Sequence, residues 1–162
     1  MPVKRRKTQA VVSLLSILII LTIDQCSKRL VHLRLSVGDS IPLIKDVLHI
    51  TFVSNTGGAF GLFKSGTSLF IAVSVIAVIV IFSIIATSMR KGKFLSDPLL
   101  NVGLVLIASG ALGNLLDRVR FGYVIDFIDV RIWPVFNMAD ISITIGTFLL
   151  IISFVSPRPS LK

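Results

Sequence analysis

The sequence predicts an all-α integral membrane protein, with four transmembrane helices and a small β element on the outer membrane surface. Hydrophobic residues make up 54% of its 162 residues and charged residues only 15%, which is typical of a membrane protein. Four apolar stretches have about the 20 residues that a helix needs to cross a bilayer. The expected spans are residues 8–31, 66–89, 98–116 and 136–155, within a single membrane domain over residues 1–162.

The charged residues predict how the four spans are oriented. Four basic residues, Lys4 to Lys7, directly precede the first span. Basic segments beside a span tend to remain in the cytoplasm. Both termini are therefore expected on the cytoplasmic side, with the segments 32–65 and 117–135 on the outer face. Seven of the eight aspartates then lie on that outer side.

The net charge of +9 indicates a partner of negative charge. The basic residues flank the spans and are not interleaved with aromatic residues, so membrane phospholipids are the expected partner and nucleic acid is not. The chain has one cysteine, Cys26, and two histidines. These are too few and too scattered for a zinc site, so we expect no metal and no other cofactor.

Two outer segments are predicted to be strands. Residues 47–53 alternate apolar and polar side chains, as a half-buried strand does. In the second segment, residues 124–132, an extended chain would place Asp126 on one face and Asp129 with Arg131 on the other. Because its face is apolar, Asp126 is expected to be desolvated, with a raised pKa. Asp129 is expected to be a solvated acid that pairs with Arg131.

Asp140 lies where a carboxylate is costly. The uncharged run that follows it, Ile141 to Val155, is too short to cross a bilayer. A helix long enough to span must begin near Phe136, which places Asp140 about one turn inside the apolar layer. An ionisable residue at such a position marks a functional site by default.

Polar residues near other helix ends allow both a structural and a functional interpretation. Asn114, Asp117 and Arg118 are expected to supply donors and acceptors at the membrane edge, or simply an Asp–Arg pair at the interface. Asp24 and Lys28 are spaced as an i,i+4 pair, which can be an ordinary salt bridge at a helix end.

Glycines suggest two sites of close approach. Gly110 and Gly113 would let another helix, or a substrate backbone, come near. The turn that starts at Asn55 and contains Gly57 is rich in glycine, but it lacks the lysine of a phosphate-binding loop.

Five short motifs occur in order along the chain and carry a family resemblance. They are Asp24-Gln25-x-x-Lys28, Asn55-Thr56-Gly57-Gly58-Ala59-Phe60, Gly113-Asn114-Leu115-Leu116-Asp117-Arg118, Val124-Ile125-Asp126-Phe127 and Phe136-Asn137-Met138-Ala139-Asp140. Together they resemble the bacterial lipoprotein signal peptidase family, signal peptidase II, over essentially the whole chain.

The resemblance implies a function and a set of site residues. It implies an aspartyl endopeptidase of the bacterial inner membrane, in which Asp126 and Asp140 are catalytic. Its substrates would be diacylglyceryl-modified prolipoproteins, cut on the N-terminal side of the lipidated cysteine, and a monomer is expected to suffice. The implied substrate-binding or supporting residues are Asn55, Gly57, Asn114, Asp117, Arg118, Asn137, Asp24 and Lys28.

Two other classes of function remain open from the residues alone. Buried aspartates also serve small proton- or cation-coupled transporters, although repeated halves and interrupted helices are not visible in this sequence. A membrane scaffold that only pairs Asp117 with Arg118 is the simplest alternative. It does not account for a carboxylate at Asp140 inside the apolar layer.

Overall fold

The structure is a computed structural model that describes residues 3–57, 67–90 and 97–156. Its seven elements are α1 (Val3–Arg34), β1 (Ser40–Ile44), β2 (Leu48–Asn55), α2 (Thr67–Arg90), α3 (Pro98–Phe121), β3 (Val124–Asp129) and α4 (Met138–Val155). Four of the described helices are long and apolar enough to cross a membrane. The predicted fold class is therefore confirmed.

The third helix extends beyond the span predicted from the sequence. The span was predicted over residues 98–116, whereas the helix α3 continues to Phe121 and ends at Gly122, which adopts the left-handed conformation (φ 81°). The predicted span ends at residue 116 because Asp117 and Arg118 are charged in the sequence. Asp117 is instead buried inside the protein, so its polarity does not end the helix.

The fourth helix and the third strand also differ from the prediction. The helix α4 begins at Met138, because the Asn137 side chain accepts a hydrogen bond from the backbone N–H of Asp140 and caps the helix. The strand β3 ends at Asp129 instead of residue 132. Arg131, two residues later, has a positive φ of 65°, which a strand cannot include.

The three strands form one antiparallel sheet in the order β1-β2-β3. The helices α1 and α3 each lead directly into a strand of this sheet, so their C-terminal ends lie on the same side of the protein. A cluster of buried apolar side chains joins α1 to the sheet. Its members are Val31, Phe52, Ile125 and Phe127.

Small residues bring α3 and α4 close together. A Cβ atom added at Gly146 would lie 2.7 Å from the backbone oxygen of Gly103. At Gly110 an added Cβ would collide with the backbone oxygen of Ala139. Of the two alternatives that the sequence left open for Gly110, close approach of another helix is the one observed. The contact fixes the first turn of α4, which carries Asp140, against α3.

Candidate active site

Asp126 lies on β3, and its side chain is enclosed by the protein. The residue is 2% exposed, which agrees with the prediction that it lies on the apolar face of the strand. Its Oδ2 accepts from Asn55 Nδ2 at 2.8 Å and its Oδ1 from Asn137 Nδ2 at 2.6 Å. The pKa of Asp126 is raised to about 6, mainly by burial. The nearby charge of Asp140 contributes to this rise, whereas the hydrogen bonds from the two asparagines oppose it.

Asp140 occupies the third position of α4, as the acidic member of a capping box. Its Oδ2 accepts from the backbone N–H of Asn137 at 3.1 Å, and its Oδ1 from Asn114 Nδ2 at 2.8 Å. A carboxylate at this position also benefits from the positive end of the helix dipole.

Asn137 joins the two carboxylates. It has no exposed surface, and its side chain donates to Asp126 while its backbone N–H donates to Asp140. Its Oδ1 accepts from the backbone N–H of Asp140 at 3.0 Å. One residue therefore holds both acids in a fixed relation, and the sequence alone placed them 14 positions apart.

Three asparagines direct their amide N–H groups at the two acids. In Asn55 and Asn137 the Oδ1 atoms accept from backbone N–H groups, so the Nδ2 atoms must face Asp126. In Asn114 the Oδ1 atom accepts from the ammonium of Lys28 at 2.9 Å, so its Nδ2 atom faces Asp140. Since an ammonium and a backbone N–H only donate, these orientations are chemically determined.

Lys28 lies behind the acids at the centre of a buried ionic cluster. The residue is 1% exposed, and its Nζ atom is 2.9 Å from both Asp24 Oδ2 and Asp117 Oδ2. With Asn114, these partners use all three donors of the ammonium. The alternative of an ion pair between Asp117 and Arg118 is not observed, because consecutive residues of a helix point in different directions.

The two acids of this cluster hold the segments that carry the site. Asp24 Oδ1 accepts from the backbone N–H of Ala139, the residue before Asp140, at 2.9 Å. Asp117 Oδ2 accepts from the backbone N–H of Ile125, the residue before Asp126, at 3.2 Å. The cluster around Lys28 thus positions both carboxylates through their backbones.

The structure also adds one residue that sequence reasoning did not single out. Gln25 Nε2 donates to Asp117 Oδ1 at 3.0 Å, and to Asp24 Oδ2 and the backbone oxygen of Gly113 at 3.2 Å. The available signal was its place beside Asp24 in the first motif. Only the folded structure shows that these groups meet, since Gln25 and Asp117 are 92 residues apart in the sequence.

Arg118 and Gly57 lie at the edge of the site. The Arg118 guanidinium donates to the backbone oxygen of Asn114 at 3.4 Å and is near enough to Asp140 and Asp126 to attract them electrostatically. Gly57 has a φ of 80°, and its N–H donates to Asn55 Oδ1 at 2.8 Å. The remainder of the predicted glycine-rich turn, residues 58–61, lies outside the described residues.

Asp129 is not the solvated acid that the sequence predicted. It is 6% exposed, and its carboxylate accepts from Thr51 Oγ1 at 2.8 Å and from Arg131 at 2.9 Å (backbone) and 3.0 Å (Nη1). The backbone N–H of Arg131 and the Thr51 hydroxyl hold its pKa below the ordinary value. The predicted pairing with Arg131 is confirmed. Both faces of β3 are covered, because α1 and β2 pack against the face that was expected to be solvated.

Within residues 3–57, 67–90 and 97–156, no three Asp, His, Cys or Glu side chains are grouped so as to hold a metal ion. What the site can do follows from its two acids. Burial favours the protonated form of Asp126, and Asn137 links that acid to Asp140. Such a pair can exchange protons with a third molecule.

The fold and the site define a class, namely small four-span membrane proteins that hold two linked carboxylates beside a surface sheet. A family model described as signal peptidase (SPase) II matches residues 16–156. The chain belongs to the signal peptidase II family, and it is therefore a peptide-bond hydrolase. The family resemblance of the five motifs is confirmed.

Individual relatives agree with the family model. A lipoprotein signal peptidase of Halothermothrix orenii is 47% identical over 136 residues, which are 84% of this chain and 90% of that one. The lipoprotein signal peptidase of Moorella thermoacetica is 44% identical over 139 residues, covering 85% and 88%. A solved structure of a bacterial membrane enzyme superposes with a TM-score of 0.79 at 32% identity, covering 91% of this chain and 94% of that one. None of these comparisons favours a transporter.

Proposed function

We propose that the protein is an aspartyl endopeptidase that removes signal peptides from lipoprotein precursors, with Asp126 and Asp140 as its catalytic pair. The observation that carries the proposal is the bridge made by Asn137, which binds both buried carboxylates. Relatives that cover most of the chain are named lipoprotein signal peptidases. Peptidase activity agrees with a site whose two linked carboxylates can exchange protons with a bound molecule.

The surroundings of the two acids suggest a role for each. We assign Asp140, at the start of α4, the role of general base, which takes a proton from a water molecule as that water attacks the scissile carbonyl carbon. Asp126, whose pKa is raised to about 6, donates its proton to the carbonyl oxygen. When the tetrahedral intermediate collapses, Asp140 gives its proton to the leaving amine and Asp126 takes a proton back from a hydroxyl group of the intermediate, so the two acids regain their starting state. The dyad titrates as a unit.

The neighbouring residues serve this chemistry in different ways. Asn137 and Asn114 position the acids, and the cluster of Lys28, Asp24 and Asp117 holds the backbones that carry them. Arg118 is exposed enough to contact substrate beside the acids. Asn55 and Gly57 form the turn above Asp126, where an extended substrate backbone would pass. A monomer is the proposed functional unit.

The proposed substrate is a prolipoprotein with a diacylglyceryl group on its cysteine, cut on the N-terminal side of that cysteine. Large apolar side chains of the helices are exposed, among them Ile76 and Phe148, so lipid chains and an apolar signal peptide can lie against the protein. The test is incubation of the purified protein with lipidated and unlipidated forms of one precursor. Cleavage before the cysteine of the lipidated form alone is expected, and equal cleavage of both forms would contradict the proposed substrate.

The proposed location is the bacterial inner membrane, with both termini in the cytoplasm and the catalytic pair near the outer face. We expect a cysteine placed at Lys45, in the turn between β1 and β2, to be labelled only from outside. A cysteine placed at Lys162 should be labelled only from inside. The measurement uses a membrane-impermeant thiol reagent in a Cys26→Ser background, since Cys26 is the only native cysteine. Labelling of both positions from the same side would refute the four-span orientation.

The pKa of Asp126 predicts a pH dependence. The proposed reaction needs one proton on the pair, and Asp126 loses its proton as the pH rises through about 6. We therefore expect kcat/KM to fall above that pH by roughly tenfold per unit. Asn55→Ala removes a hydrogen bond that stabilises the ionised carboxylate, so it should raise the pKa of Asp126 and move the fall to higher pH. A fall at unchanged or lower pH in Asn55→Ala would contradict this assignment.

A further inference from the structure

A concave surface lies between α1 and α3. It is a groove of about 570 Å³ whose walls include Leu21, Leu33 and Leu116. Neither Asp126 nor Asp140 lines it. The groove therefore does not contain the two proposed catalytic acids, although it reaches Lys28 and Asp117 of the ionic cluster behind them.

Two arginines line the groove toward the C-terminal ends of its helices, Arg29 beyond Leu21 on α1 and Arg120 beyond Leu116 on α3. Arg29 is exposed, and within the described residues it has no hydrogen-bond or ion-pair partner. Arg120 is also exposed, and its guanidinium donates to Gln25 Oε1 at 3.1 Å. That bond orients one edge of the guanidinium and leaves its other N–H groups available. Two guanidinium groups facing one groove form a site for a phosphate ester.

The nearest acid does not neutralise these two arginines. Asp117 lines the groove, but its carboxylate is bonded to Lys28, Gln25 and the backbone N–H of Ile125. No described carboxylate pairs with Arg29 or Arg120. The charge at this end of the groove is therefore positive and unpaired.

Positions along α1 match the depth of one membrane leaflet. Leu21 lies eight residues before Arg29, which is about 12 Å along the helix. One leaflet of a hydrocarbon layer about 30 Å thick is about 15 Å deep. The helix from Thr8 to Arg34 has 27 residues and is about 40 Å long, so its last turns, which include Arg29, reach the headgroup layer. Leu21 is thus at acyl-chain depth and Arg29 is at phosphate depth.

We propose that this groove binds an anionic diacyl phospholipid, whose headgroup phosphate contacts Arg29 and Arg120 and whose acyl chain lies along Leu21 and Leu116. The site is separate from the proposed function, because none of the four residues touches the catalytic pair. A lipidated substrate would bring acyl chains without a phosphate, so the two arginines favour the phospholipid as occupant.

The test is lipid binding by the purified, delipidated full-length protein, measured by native mass spectrometry. The probes are phosphatidylglycerol and phosphatidylcholine with identical acyl chains. The variants are Arg29→Gln and the double variant Arg29→Gln/Arg120→Gln. Arg34→Gln is the matched control, because Arg34 is an exposed arginine on the same helix that does not line the groove.

Tighter binding of phosphatidylglycerol than of phosphatidylcholine is expected. Each lost arginine should weaken phosphatidylglycerol binding by about tenfold, the value of one charge-assisted contact, and Arg34→Gln should leave it unchanged. Equal binding of the two lipids, or unaltered binding by Arg29→Gln, would overturn the proposal. So would displacement of the bound lipid by a lipidated precursor peptide, since the groove would then be a substrate site. If the double variant fails to fold, the result for Arg29→Gln is sufficient to test the proposal. This single variant should fold, because Arg29 has no hydrogen-bond or ion-pair partner within the described residues.

Discussion

Replacing either Asp126 or Asp140 by asparagine is expected to abolish cleavage of a lipidated precursor. An amide cannot take up or release a proton at neutral pH, so the general base or the general acid is lost. Loss of one such group lowers turnover by about 100- to 10,000-fold. The measurement is kcat of the purified variants on one precursor. Substantial cleavage by either variant would remove that residue from the catalytic pair.

Asp129→Asn is the matched control for the loss of activity. Asp129 lies on the same strand and is also buried, but its partners are Thr51 and Arg131, neither of which touches the site. We expect this variant to retain most activity. A loss as large as that of Asp126→Asn would mean that the strand is disturbed by any such change, and it would leave no special role for Asp126.

Asp126→Asn should still fold, for reasons that the hydrogen bonds specify. Its new amide N–H₂ would face the N–H₂ of Asn55 or Asn137, whose oxygens are already held by backbone donors. One hydrogen bond is then lost, at a cost of about 1 kcal/mol. Removal of a desolvated charge acts in the opposite direction. We therefore expect insertion into the membrane and a thermal midpoint close to that of the unaltered protein.

Lys28→Met is expected to produce the largest loss of stability. The substitution would leave Asp24 and Asp117 as buried charges without their cation, and breaking a buried pair in this way costs about 3–5 kcal/mol. Arg131→Met is the matched control, because the Arg131 side chain is 48% exposed in its pair with Asp129, and such a pair contributes only about 0–1 kcal/mol. Thermal unfolding in detergent compares the two variants. Equal midpoints would show that the Lys28 cluster does not stabilise the fold.

Hydropathy was sufficient to predict the four spans, because a bilayer imposes one length on every apolar helix. The same count predicts the depth of Asp140 in the membrane. The continuation of α3 to Phe121 could not be predicted in this way, since Asp117 is polar in the sequence and buried in the fold. Its partner Lys28 is 89 positions away along the chain, and no local pattern connects the two.

The arrangement of the site could be predicted only in part. Alternation along β3 indicated the apolar face of Asp126, but it did not show that α1 covers the opposite face as well. The family resemblance linked Asp126 to Asp140. The role of Asn137 as a bridge between them depends on the capping geometry of α4, which fixes which end of the amide faces Asp126. Such an orientation becomes visible only when all donors and acceptors are placed.

The central claim, that Asp126 and Asp140 act as one unit, is tested most directly by a double-mutant cycle. The rate of cleavage is measured for Asp126→Asn, Asp140→Asn and the double variant, each purified and equally folded. Because a proton-transfer pair fails as soon as one member is lost, the double variant should be little slower than either single variant. Rate losses that multiply in the double variant would contradict the account, since they would mean that the two carboxylates act independently.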